Sequence, residues 1–558
     1  MPRFYNLIKR KELRAYTYRS FVFLIAIMGF GTLYGQNAGG GGSILLYSLI
    51  GVGVILLVWI SLSVTDNLLQ IEAVKRGVDT RKNNFSIYPR FNELLSSPTP
   101  GYLKDGKLHL LKKGHDILLA GEAPADTVLS LSATRYAVRP VNFRGIAPIP
   151  KLLVEEGQEV KAGDPVFFDK SDPAIQYVAP VSGEIVEVRR GSKRSITDIV
   201  ILADKEVRYK EFKSPDIEKC TREELVNFLA ESGLWVHINS RPFDVVPKRD
   251  DVPRDVFIST FDTAPLAVTG DLLVKGKEEA FHKGLHVLGR LTTGKVYLGL
   301  SANGKEAPSQ AFTHAKGVEI HWFKGPHPSG NVGVQIHHIA PIRMGDTVWT
   351  LKVESVIAIG EMFLTGHYQS ETIVSICGGM MKKPQIIRTY QGANIGDLLN
   401  GQDINLNHSR LISGNVLTGR QVGDDDFLDI HVNNITAIKE GNYHEMFGWL
   451  LPIKPRPSVS KTFPNFLFPG FRFDADTNTH GERRAFVMTG QYEAVLPMNI
   501  YVQHVMKAIM TNDYERMEGL GLVELTEEDV ALCEFVCTSK MPLQNILRQG
   551  LDMMREQS

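Results

Sequence analysis

KLLVEEGQEVKAGDPVFFDKSDPAIQYVAPVSGEIVEV, residues 151–188, is the stretch on which the fold turns. Apolar runs near 152–154, 165–168 and 183–188 alternate with EGQEVKAGD and APVSGE, both rich in turn-forming residues. Strand side chains point alternately to two faces, so runs this short and this often interrupted predict a small packed β-domain.

The spacing resembles the barrel-sandwich hybrid fold of biotinyl and lipoyl domains, where a GxxVxxGxxV strand pair precedes APxxGxV. Such domains carry a modified lysine about eight residues before the proline of the AP pair. Counting back from Pro180, that position holds Asp172; Lys170 stands two residues away beside Asp169. The resemblance implies the fold without the swinging-arm chemistry.

Downstream the rhythm changes. DVFIST (255–260) reads as a strand, TGDLLVKGKEEAFHKGLHVLGRLT as helix, and KVYLGLS (295–301) as a second strand. Ala280, Leu285, Leu288 and Leu291 recur at helical spacing, so a parallel sheet with crossover helices follows. FISTFDTAPLA lacks the GxGxxG that cradles a pyrophosphate, and no GxxxxGK[ST] occurs. The expectation is a Rossmann-like scaffold without a recognisable nucleotide loop.

EIHWFKGPHPSGNVGVQIHHIAPI (319–342) is dense in proline and glycine and reads as a shaped loop. Its Lys324, His327 and Gly330 are the candidate contacts for an anionic or quinone-like head group. Adjacent His337 and His338 point apart on an extended chain, which argues against joint chelation. Cys377 lies within the apolar strand IVSICGG, where an inert thiol is expected. Thr526 followed by Glu527, Glu528 and Asp529 caps a helix on which Cys533 and Cys537 share a face. Two thiols make at most half of a metal or Fe–S site, one that a partner would have to complete.

The 558 residues carry Lys+Arg 62 and Asp+Glu 62. This balance argues against nucleic acid as a partner. The four cysteines form no disulfide framework and suit a reducing compartment. Near the start, FVFLIAIMGFGTLY (21–34) and ILLYSLIGVGVILLVWISL (44–62) are uncharged. Basic residues lie outside both runs and none between them, so a two-span hairpin with both ends cytoplasmic is predicted. A cleaved signal peptide is the weaker reading, because the second run follows so closely.

Taken in order, residues 107–128, GQEVKAGDPVFFDK, APVSG, KGPHPSGNVGVQIHHIAP, VIAIGEMFLTG, KKPQIIRT and LCEFVCTSK resemble one family: the A subunit of the sodium-translocating NADH:quinone oxidoreductase (Na+-NQR). The resemblance spans residue 107 to the C-terminus. It implies a component resting on the membrane-embedded B subunit, on the cytoplasmic face of a bacterial inner membrane. The complex so implied couples NADH oxidation and quinone reduction to sodium export. Flavins, iron–sulfur centres and ubiquinone or menaquinone would belong to the complex, with no cofactor held by this chain. The rival is an autonomous NADH or quinone oxidoreductase using the α/β domain.

The expected architecture is α+β multidomain: a transmembrane hairpin (1–65), a cytoplasmic tether (66–106) and a biotinyl/lipoyl-like barrel-sandwich domain (107–250). A Rossmann-like α/β domain (251–370), a β-rich, ubiquitin-like and barrel-completing region (371–495) and a helical end (496–558) follow.

Overall fold

The structure is a computed structural model describing residues 41–75, 100–103, 106–145, 150–402, 404–405, 407–446, 455–459 and 470–557. Contacts divide the chain into two compact units, Met1–Thr99 and Pro100–Ser558.

In the first unit the described element is the helix Gly41–Lys75. It exposes large apolar side chains, among them Leu57, Trp59 and Ile60. Residues 66–75, read from sequence as tether, continue this helix; Leu68, Leu69, Gln70, Glu72, Ala73 and Lys75 are good helix formers. Of the expected hairpin, the first span (21–34) lies outside the described residues. Among the described residues no helix is long and apolar enough to cross a membrane, so the hairpin is not a structural finding.

In the second unit, the signature stretch folds into two small sheets. One orders Arg135–Val138, Ile196–Ala203, Gly183–Arg190 and Glu159–Val160; the other joins Lys151–Leu152, Pro165–Asp169 and Asp172–Val178. Val160, Val166, Phe167, Tyr177, Ile185, Ile199 and Ile201 fill one core, with Phe167 and Tyr177 stacked at 4.5 Å. Lys170 sits exposed in the turn between Pro165–Asp169 and Asp172–Val178.

The largest parallel arrangement is a six-stranded sheet. Its order is Lys107–Leu110, Glu319–Lys324, Val296–Ser301, Val256–Ser259, Val348–Leu351 and Asn239–Arg241, with only the last strand antiparallel. Val256 and Ile258 face the helices Glu278–Leu291 and Val353–Thr365, whereas Phe257 packs with Ile336, Ile342 and Val348. Burial on both faces explains the continuous apolar runs in these strands. The two helices cross closely: a Cβ on Gly360 would lie 1.7 Å from the Ala280 carbonyl oxygen.

A second six-stranded sheet is mixed, with Asn434–Lys439, Glu371–Cys377 and Gln385–Tyr390 at its centre. The helices from Gln491–Val495 to Leu543–Gln557 close the chain around Val505, Met506, Val530, Leu547 and Leu551.

The segment read from sequence as one loop is largely regular: Glu319–Lys324 is a strand and Val332–Ile339 a helix. Its turn chemistry is confined to the few residues between them, where the His327–Pro328 peptide is cis. His337 and His338 therefore lie on a helix, with rings 5.3 Å apart and nearly perpendicular.

Candidate functional site

Strand order locates the site. From Val256–Ser259 the chain steps outward through Val296–Ser301 to Glu319–Lys324, then returns to place Val348–Leu351 on the opposite flank. Connections leave these two neighbouring strands in opposite directions, which opens a crevice beyond their carboxyl ends, the usual ligand position in open α/β sheets. A cleft of about 560 Å³ lies there, lined by Ser259 to Asp262 from one strand end and Thr350 to Glu354 from the other. Its volume falls in the range of small-molecule sites.

Distant segments complete the walls. Arg241 ends the edge strand and Asp244 follows it, Gly330 to Val332 lead into a helix, Arg420 and His431 come from the mixed-sheet region, and Glu527 and Glu528 from a helix start. Arg144 reaches Asp244 at 2.6 Å and Glu527 at 3.0 Å. Arg241, only 3% exposed, lies 3.4 Å from Glu528 and 3.7 Å from the fully buried Asp529. Asp429 pairs with Arg139 and Arg420.

Burial, reinforced by the neighbouring Asp529 charge, raises the Glu528 carboxyl to about 7. The Glu528 side chain is 39% exposed where it lines the cleft. Asp529 is also raised, chiefly by burial, while Arg241 opposes the shift. The Asp529 carboxylate accepts from the Thr526 N–H and hydroxyl, both at 3.0 Å, and closes the helix start.

Lys352 is exposed and its Nζ donates to the His431 carbonyl at 3.1 Å. It precedes the helix Val353–Thr365, whose N-terminus has no side-chain cap. His431 is held neutral by burial and by nearby His237 and Lys352.

Of the sequence candidates, Gly330 borders this cleft, whereas Lys324 and His327 are not among its lining residues. A Cβ on Gly330 would meet the Thr263 nitrogen at 2.8 Å, so glycine permits the close approach of two loops. His327 is 3% exposed; its ring lies 3.0 Å from the Thr263 hydroxyl, and its backbone N–H donates to Asp116 at 2.8 Å. His337 lies 2.7 Å from Glu524, and His338 2.7 Å from the Pro497 carbonyl.

Cys533 and Cys537 are both buried, and the Cys537 sulfur lies 2.9 Å from the Tyr492 hydroxyl. Burial pushes the Cys533 thiol up, away from the thiolate that binds metal. Among the described residues no group of three or more His, Cys, Asp or Glu side chains is placed to hold a metal ion.

The cleft escapes sequence reading because nothing local announces it. Glu527 to Asp529 signal a cap, not that two of them face a cavity with arginines from nearly 300 to 400 positions upstream.

Comparison with known proteins follows the same segments. Residues 110–204 match the family model described as NqrA N-terminal barrel-sandwich hybrid domain. Residues 220–368 match the NqrA second alpha/beta domain, and 373–424 the NQRA C-terminal domain. The A subunit of the Na(+)-translocating NADH-quinone reductase of Vibrio atlanticus is 34% identical over 450 residues, covering 80% of this chain and 99% of that one. Its counterpart of the same name in Neisseria gonorrhoeae strain NCCP11945 is 35% identical over 457 residues, with the same two shares. A solved NAD+-reducing NiFe hydrogenase aligns with a TM-score of 0.28 at 13% identity, over 42% of this chain and 52% of its own, too loose to inform fold or function. The chain belongs to the NqrA family, the A subunit of the Na(+)-translocating NADH-quinone reductase.

Proposed function

We propose that this chain has a structural and coupling role on the cytoplasmic face of a bacterial inner-membrane complex in which NADH oxidation and quinone reduction drive sodium export. In this reading the B subunit is the membrane partner, and flavin, iron–sulfur and ubiquinone or menaquinone chemistry belong to the assembly. The carrying observation is that the chain covers 99% of relatives named as this component of the reductase, with 34–35% identity. The cleft supports a coupling role. Its guanidinium and carboxylate groups largely engage one another, tying the edge strand to the C-terminal helices through Arg241 with Glu528 and Asp529. Buried charge networks resist being parted, because removing one partner strands the other.

The exposed apolar surface of the helix Gly41–Lys75 would meet lipid or a membrane component of the complex, aided by the basic residues that follow it. A quinone contact falls, in this reading, to Lys324, His327 and Gly330, of which Gly330 borders the cleft.

Purification of the tagged chain from detergent-solubilised native membranes tests this. Partner proteins, flavin and iron are expected to co-elute with sodium-stimulated NADH:quinone activity. A chain that elutes alone, carries its own flavin and oxidises NADH would replace this reading with an autonomous oxidoreductase.

A further inference from the structure

The cleft has an unused electrostatic feature that does not depend on the assembly. Nearly all its charged groups answer one another: Asp244 and Glu527 with Arg144, Glu528 with Arg241, and Asp429 with Arg139 and Arg420. Asp262 accepts from the Ala264 N–H at 2.7 Å. Lys352 is different: among the described residues its Nζ has a backbone carbonyl as partner and no carboxylate within ion-pair distance. It stands where the uncapped, 13-residue helix Val353–Thr365 begins, and both Val353 and Glu354 line the cleft. First-turn amides have no acceptor within their own helix, and the helix dipole favours negative charge at this end.

Two further atoms independently ask for a ligand. Arg241 is 3% exposed, lines the cleft, and its Nε makes no hydrogen bond, the Asp244 carboxylate standing off at 4.0 Å. The Glu354 Oε1 is buried and lacks any donor. Buried polar atoms seldom stay unsatisfied, and a carboxylate can only accept. The cleft thus offers cationic and amide donors at the Lys352 end and an acceptor beside them.

We propose that this cleft binds a small phosphate ester carrying hydroxyl groups, a nucleoside monophosphate or a sugar phosphate in class. Its phosphate sits at Lys352 and the first turn of the helix Val353–Thr365, and a hydroxyl donates to Glu354. A lysine with a helix N-terminus is a common phosphate site, and a carboxylate accepting from sugar hydroxyls is its usual companion in α/β sheets.

Calorimetric titration of the purified full chain with AMP, adenosine and inorganic phosphate tests the assignment. AMP is expected to bind more tightly than either fragment. Lys352→Gln should weaken AMP and phosphate at least about tenfold, the scale of one charge-assisted hydrogen bond, while Lys352→Arg retains binding. Glu354→Gln should weaken AMP and leave inorganic phosphate unchanged. Thermal melts matching the parent confirm that the variants fold. The assignment is overturned if neither AMP nor phosphate binds at millimolar concentration, or if Lys352→Gln binds as the parent does. AMP binding untouched by Glu354→Gln would overturn the hydroxyl contact.

Discussion

Phe167 and Tyr177 stack at 4.5 Å although only ten positions separate them. Arg241 and Glu528 meet at 3.4 Å from positions 287 apart. The first contact belongs to a sandwich whose strands follow one another along the chain, so its turns and alternation are visible in one short passage. The second belongs to a cleft walled by separate stretches of the same unit. Local pattern therefore specifies the sandwich, whereas the cleft exists only once the strand order and the C-terminal helices are in place. The two regions also differ in what holds them: apolar burial in one, compensated charge in the other.

The sharpest way to separate them is a core deletion. Phe167→Ala removes a fully buried ring and should cost about 3–5 kcal/mol in denaturant unfolding of the body. Refolded protein should keep its cleft intact, read by unchanged Lys352-dependent phosphate binding. If that binding vanished with the fold retained, the two regions would be one cooperative site.

Gly360→Ala presses on the helix pair packed against the parallel sheet, because the new methyl would meet the Ala280 carbonyl oxygen. A cost of about 1–3 kcal/mol is expected from forced separation of the helices. An unchanged melting temperature would mean that the crossing is looser than this close approach implies.

The gentlest effect lies in pH. Glu528 is raised in the folded chain to about 7 from an ordinary glutamate value of 4.5. The folded state then holds more protons than the unfolded state between those values, so stability should be fully present below about 4.5 and fall as pH rises towards 7. Glu528→Gln should flatten this slope in melts recorded across the window. An equal slope in parent and variant would assign it to other groups.

Legibility in the sequence follows the same divide. The glycine turns and alternation of residues 151–188 foretell the barrel-sandwich, and Ala280, Leu285, Leu288 and Leu291 foretell a crossover helix whose face is indeed buried. A single loop over 319–342 is the wrong expectation, because proline and glycine govern only the middle of that stretch. EIHWFK has strand alternation beside the turn, and VGVQIHHI has a helical stripe after it. For the cleft, LKVE at 351–354 reads simply as a strand meeting a helix. No residue there signals that Arg241 and Glu528 will close over it.

Whether this chain works within a sodium-coupled NADH:quinone reductase is decided by removal and return. Membranes from cells lacking the chain are assayed for sodium-dependent NADH:quinone activity, before and after expression of the full chain is restored. The activity is predicted to disappear without the chain and to return with it. Undiminished sodium-dependent activity in its absence would contradict the account.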